Sequence, residues 1–282
     1  MKNMEDNKFK TKEEIIEWLG KHDIKNYTIS SNLVVDVAGD VNLEYSQISG
    51  SLPVVFGVVT GNFSCVSNKI RTFFGFPIEV HGNFDCSHNW LSNLEGCPRI
   101  IGGDFICEEN DLISLKGCPK IIKGKFSCVK NLLEDLNDCP NKVGGDFICG
   151  LNRLYNLNGC PEKVGGVFDC GNNKLISLEG CPVKLASFFN CSYNLLSNLE
   201  GCPKKALGGF HCNDNKLTSL EGCPEYVGGE FNCGNNRLVS LVGGPLKVGG
   251  WYVCSSNGLD SLIGCAIEIG GNFSCDNNRS KI

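Results

Sequence analysis

Residues 161–180 read PEKVGGVFDCGNNKLISLEG, and residues 140–159 read PNKVGGDFICGLNRLYNLNG. The two stretches are successive copies of one 21-residue unit, and moving outward from them uncovers the rest. An aromatic residue recurs every 21 positions from Phe63 through Phe84, Phe105 and onward to Phe231, Tyr252 and Phe273. Each is followed two residues later by cysteine and five residues later by asparagine, in all 11 copies. A second cysteine stands 13 residues after the aromatic in eight of them, in Gly-Cys-Pro except at Cys139, which follows Asp138, and Cys265, which precedes Ala266. Eleven and eight make 19, so the repeat accounts for every cysteine in the chain.

A period near 20 residues is the mark of a solenoid. In such a fold each coil buries its apolar face only against its neighbours. Phe and Cys at i and i+2 share one side of a short strand and point inward. The asparagine is placed to bond backbone groups of the turn and of the next coil as a stacked ladder. Leucines such as Leu154 and Leu157 carry the inner face around the bend, and Gly-Cys-Pro makes the next corner. Val143, Val164, Val227 and Val248 return the chain inward before Gly-Gly. A coil this short has little room for a full helix, so extended or 3-10 segments are expected on the outer side.

The copies are regular from residue 63. Upstream, VAGDVNLEYSQISGSLPVVFGVVTGNF reads as a degenerate coil, with Val41 and Leu43 in the Phe and Cys places. YTISSNLVVDV reads as one or two strands. Thr11 and Glu14 have capping-box spacing, Ile15, Ile16, Trp18 and Leu19 form an apolar set, and Gly20 reads as a stop. Residues 1–40 are therefore expected to form an N-terminal cap with a short helix, and 41–282 a solenoid of about eleven to twelve coils. The last motif, GGNFSCDNNRSKI, shows no cap, which makes its edge a candidate for self-pairing and a homo-oligomer. Some copies depart from the unit: Ala186 and Ser187 replace Gly-Gly, Asp138 replaces the corner glycine, and Gly244 replaces a cysteine.

Among 282 residues, 41% are hydrophobic and 20% charged, the composition of an ordered globular chain. The net charge of −5 weighs against nucleic acid or an anionic membrane as partner. No apolar run reaches spanning length and no secretory leader is visible. With an odd cysteine count, this points to reduced thiols in a cytoplasm.

The unit, with its centre F-x-C-x-x-N-x-L, resembles the leucine-rich repeat, and is closest to leucine-rich-repeat proteins of bacteria and bacteriophages. The resemblance covers about residues 22–282. It implies a repeat solenoid with a parallel β-strand ladder and a small α/β cap. It also implies host cytoplasm as the location, and a host or defence protein as partner.

No catalytic, metal or cofactor residues are assigned. The thiol spacings match no C-x-x-C zinc site, and cysteine serves well as a small buried hydrophobe. His22, His81, His88 and His211 read as surface or rim residues, and His211 and Cys212 face opposite ways on a strand. The expected function is non-catalytic binding of another protein through the strand-lined face. Residues flanking the inner Phe and Cys are read as pointing outward and varying freely, as recognition positions on a fixed frame do. Where polar residues would suffice, apolar or aromatic ones mark the candidate surface: Ile106, Ile148, Leu151, Phe188, Tyr193, His211, Trp251 and Val253. Acidic residues gather in the N-terminal half, among them Asp85, Asp104, Glu108, Glu109, Asp146 and Asp169. They suggest a partner with some positive charge or simply a solvated face.

Overall fold

The computed structural model describes residues 9–182 and 186–279. The chain is a parallel-strand solenoid with about eleven turns counted along the sequence, and it divides into two compact units. The first comprises residues 1–132 and 138–140, the second residues 133–137 and 141–282.

In the first unit a helix, α1 (Lys12–Lys21), starts at the capping box that the sequence predicts. The Glu14 N–H donates to Thr11 Oγ1 at 3.2 Å, and the Thr11 N–H returns a bond to Glu14 Oε2 at 3.0 Å. Ile15 and Leu19 are buried. Trp18 lies edge-on to Phe56, with ring centres 6.4 Å apart. Gly20 does not stop the helix. It lies within α1, the C-cap is His22, and the chain reverses at Asp23 with φ 53°. An aspartate tolerates the left-handed region well enough to make that turn. Next come β1 (Tyr27–Ile29) and β2 (Val34–Val37), an antiparallel pair, and β2 is joined in parallel by Val55–Val59.

The coil itself is built from two-residue strands. In the first unit Val41, Phe63, Phe84, Phe105 and Phe126 lie in register in one parallel ladder. In the second, Phe147, Phe168, Phe189, Phe210, Phe231, Tyr252 and Phe273 lie in register in the same way. The rings stack at 5.4 Å for Phe84–Phe105 and 5.2 Å for Phe147–Phe168. Cys107, Cys170 and Cys212 are fully buried beside them. The degenerate coil behaves as expected, with Val41 and Leu43 in the core. A second set of short strands, such as Lys142–Val143 beside Lys163–Val164, returns the chain inward. The outer segments are extended turns and bends, with no 3-10 helix among the described residues.

The asparagine ladder forms, but it is aimed at the preceding coil, not the next one. Asn194 Nδ2 donates to Cys170 O of the preceding coil and to Cys191 O, each at 3.1 Å. Its Oδ1 accepts the Leu175 N–H at 2.9 Å. One amide thus satisfies donors and acceptors that the tight bend leaves unpaired. At the corner, Gly180 has φ +88°, and a Cβ there would stand 2.6 Å from the Leu157 carbonyl. Asp138 holds the same corner at φ 63°, with Lys120 3.6 Å from its carboxylate.

Candidate functional site

The position before each inner aromatic was expected to be free. In the first unit it is part of the frame. The Asn62 N–H donates to Asp40 Oδ1 at 2.6 Å, and the Asn83 N–H to Asn62 Oδ1 at 2.8 Å. The Asp104 N–H donates to Asn83 Oδ1 at 2.8 Å, and the Lys125 N–H to Asp104 Oδ1 at 2.7 Å. In the second unit the Val167 N–H donates to Asp146 Oδ1 at 2.7 Å. Each capping oxygen occupies the volume that a Cβ would need at Gly61, Gly82, Gly103, Gly124 or Gly166 of the following coil. That accounts for the second glycine in these coils, whereas at Gly208, Gly229 and Gly250 the backbone of the preceding coil leaves no room for a Cβ.

The ladder of caps stops at Val167. Beyond it stand Phe188, Gly209, Glu230 and Trp251. Phe188 lays its ring over Gly209, where a Cβ would come within 2.9 Å of it. Trp251 is 54% exposed.

The position after the aromatic is also partly structural. Asp85, Asp169, Asn190 and Asn232 each accept the N–H two residues on, at 2.8–3.0 Å. Ile106, Ile148, His211 and Val253 lack that cap chemistry and sit half-buried in the same register. Ile106 belongs to the first unit. In the second, Ile148, His211 and Val253 share one ladder row, with Asp169 and Asn190 after Ile148 and Asn232 before Val253. Phe188 meets His211 edge to face, with ring centres 4.6 Å apart. His211 Nε2 is 3.3 Å from a Glu230 carboxylate oxygen, without a hydrogen bond between them. Burial holds the His211 pKa below its ordinary value, and Glu230 opposes that shift.

Leu151 and Tyr193 lie on the turn two residues after the inner cysteine, exposed at 50% and 55%. Every copy has a left-handed residue here, among them Asn172, Asp214 and Asn235 at φ 55°, 55° and 53°. Leu151 and Tyr193 adopt it at φ 54° and 55°, without the short polar side chain that eases such a conformation. The residue types do not disclose this constraint, because Ser, His, Glu and Lys occupy the position as well.

The acidic side chains of the N-terminal half are engaged within the chain. Asp85, Asp104, Asp146 and Asp169 hold backbone N–H groups as described. Glu108 accepts from Ser127 Oγ, and Glu109 pairs with Lys130 at 2.7 Å.

The thiols offer little nucleophilicity. Burial drives the pKa of Cys107, Cys170 and Cys212 well above the usual thiol range and that of Cys160 up to about 12. Cys212 is buried while His211 faces outward, so the two do not form a nucleophile–base pair. His22 lies 3.3 Å from Ser46 Oγ, His81 is 3.4 Å from Glu79, and His88 is 3.5 Å from Glu109. No group of three metal-ligating side chains occurs among the described residues, and no described helix is long and apolar enough to cross a membrane.

No family model matches the chain, and no curated protein matches it. Among solved structures it is similar to the leucine-rich-repeat protein YopM from Yersinia enterocolitica WA-314, with a TM-score of 0.50 and 16% identity. The match covers 80% of this chain and 64% of YopM, so the chain spans less than two thirds of its neighbour's length. At that identity the likeness establishes a leucine-rich-repeat type of solenoid and nothing finer.

Proposed function

We propose that this protein is a non-catalytic binding module that holds another protein on the strand-lined face of its second unit. The observation that carries this is the change of chemistry along one register position. Where Asp and Asn cap the backbone up to Val167, the half-buried Phe188 and the exposed Trp251 stand beyond it without a capping role. Large aromatics kept at a solvent-facing site on a rigid frame are the usual anchors of protein contacts. The partner is a host or defence protein met in a bacterial cytoplasm, on the strength of the resemblance to bacterial and phage repeat proteins. The protein acts by occupying its partner, with no reaction.

A second reading is self-association through the last coils, where Leu246, Ile263 and Ile267 are 55%, 68% and 75% exposed. Two variants separate the readings. Phe188→Ser/Trp251→Ser should abolish capture of the partner from a bacterial extract, while Leu246→Ser/Ile267→Ser keeps it. Capture that survives the first pair and fails with the second would favour self-association.

A further inference from the structure

At the position six residues after the inner aromatic, the coils of the second unit carry Arg153, Lys174, Leu195, Lys216 and Arg237 in succession. All five are exposed. Backbone hydrogen bonds fix the row: the Lys174 N–H donates to Leu154 O at 3.0 Å, and the Lys216 and Arg237 N–H groups donate to Leu196 and Leu217 O at 2.9 Å. Neighbouring members are therefore one strand spacing apart, about 4.8 Å. None of the four bases takes part in a salt bridge among the described residues, whereas Lys116, Lys120, Lys125 and Lys130 of the first unit all do. Lys174 lies over Tyr155 at 5.8 Å, so its ammonium is oriented as well as exposed.

Two residues earlier along the same rim are Leu151 and Tyr193, at the position that Asn172, Asp214 and Asn235 hold in the other coils. On the far side, the uncharged Tyr155, Ile176, Ser197, Thr218 and Val239 separate the bases from Glu179, Glu200 and Glu221. A chain with an excess of acid thus carries a basic stripe with apolar side chains set into it and one acid, Asp214, beside it, whose carboxylate is held by Asn213 and Asn235.

We infer that this rim binds an extended acidic protein segment laid across the coils, with carboxylates on Arg153, Lys174, Lys216 and Arg237. An apolar side chain of the segment sits between them, on Leu195 and Tyr193. The inference rests on the second unit being a protein-binding scaffold, and it names the chemistry of the partner.

The test uses the full chain and a fluorescein-labelled peptide, Gly-Ser-Glu-Glu-Leu-Glu-Glu-Ser-Gly, followed by fluorescence anisotropy. R153E/K174E/K216E/R237E should weaken binding by about tenfold or more, the loss expected when four exposed ion pairs act together. K142E/K163E/K205E/K247E changes the charge equally on another row and should leave the affinity within about twofold. Circular dichroism and melting temperature report that both variants fold. Equal weakening by the two sets would mean diffuse charge attraction and would overturn the inference. Absence of peptide binding, or tighter binding of a thymidine oligonucleotide of equal charge, would overturn it too. Phe188→Ser/Trp251→Ser should leave peptide affinity unchanged, so failure of the strand-face proposal is read separately.

Discussion

The carboxylate of Asp146 accepts the backbone N–H of Val167, one coil further on, at 2.7 Å. In doing so it fills the space that a Cβ at Gly166 would need. Gly166→Ala should therefore destabilise the protein by about 1–3 kcal/mol. The cost should shrink by at least about 0.5 kcal/mol in an Asp146→Ala background. Urea unfolding of the four members of that cycle measures the coupling, and strict additivity would refute the contact.

Asn194 satisfies the Leu175 N–H and the Cys170 and Cys191 carbonyls with one side chain. Asn194→Ala strands these groups in a buried setting and should cost about 2–4 kcal/mol of unfolding free energy. Hydrogen exchange should show the loss at the Leu175 amide first.

The Tyr252 hydroxyl is buried with no hydrogen-bond partner among the described residues. It lies 3.3 Å from where a Cβ at Gly244 would stand, the one inner corner between two regular coils where the usual cysteine gives way to glycine. Tyr252→Phe should raise stability by about 1 kcal/mol by removing an unsatisfied group. Gly244→Cys should be better tolerated in that variant than in the parent, which paired thermal melts would show.

His211 has a folded pKa below its ordinary value of 6.5, with burial as the main cause. A lowered value means that the folded state prefers the neutral ring. Its contribution is present above about pH 6.5 and is lost as pH falls from there towards the folded value. Melting temperature followed from pH 7.5 to 5.5 should therefore drop more for the parent than for His211→Gln. Parallel curves would contradict the assignment.

Much of this was legible in the residues. A 21-residue period with aromatic, cysteine and asparagine at fixed offsets leaves few alternatives to stacked coils, and the Thr11–Glu14 box marks the helix start. What was hidden depends on contacts between coils. That Asp146 requires Gly166, or that Tyr252 accompanies Gly244, is a relation between residues in adjacent turns, and a single copy of the unit does not reveal it. The left-handed turn at Leu151 and Tyr193 was hidden for another reason. Many residue types occupy that place, so composition carries no trace of the backbone. The row of bases follows from the register, but in a chain of net charge −5 composition alone does not disclose it.

The most direct test of the central claim is photo-crosslinking in bacterial cells that make the protein. Benzophenone-phenylalanine replaces Phe188, Tyr193 or Trp251 in one set, and Lys142, Lys163 or Lys205 in another. The first set should give a discrete adduct with a second protein and the other set none. Adducts confined to the other set, or only an adduct of two copies of this chain, would contradict a partner held on the strand-lined face.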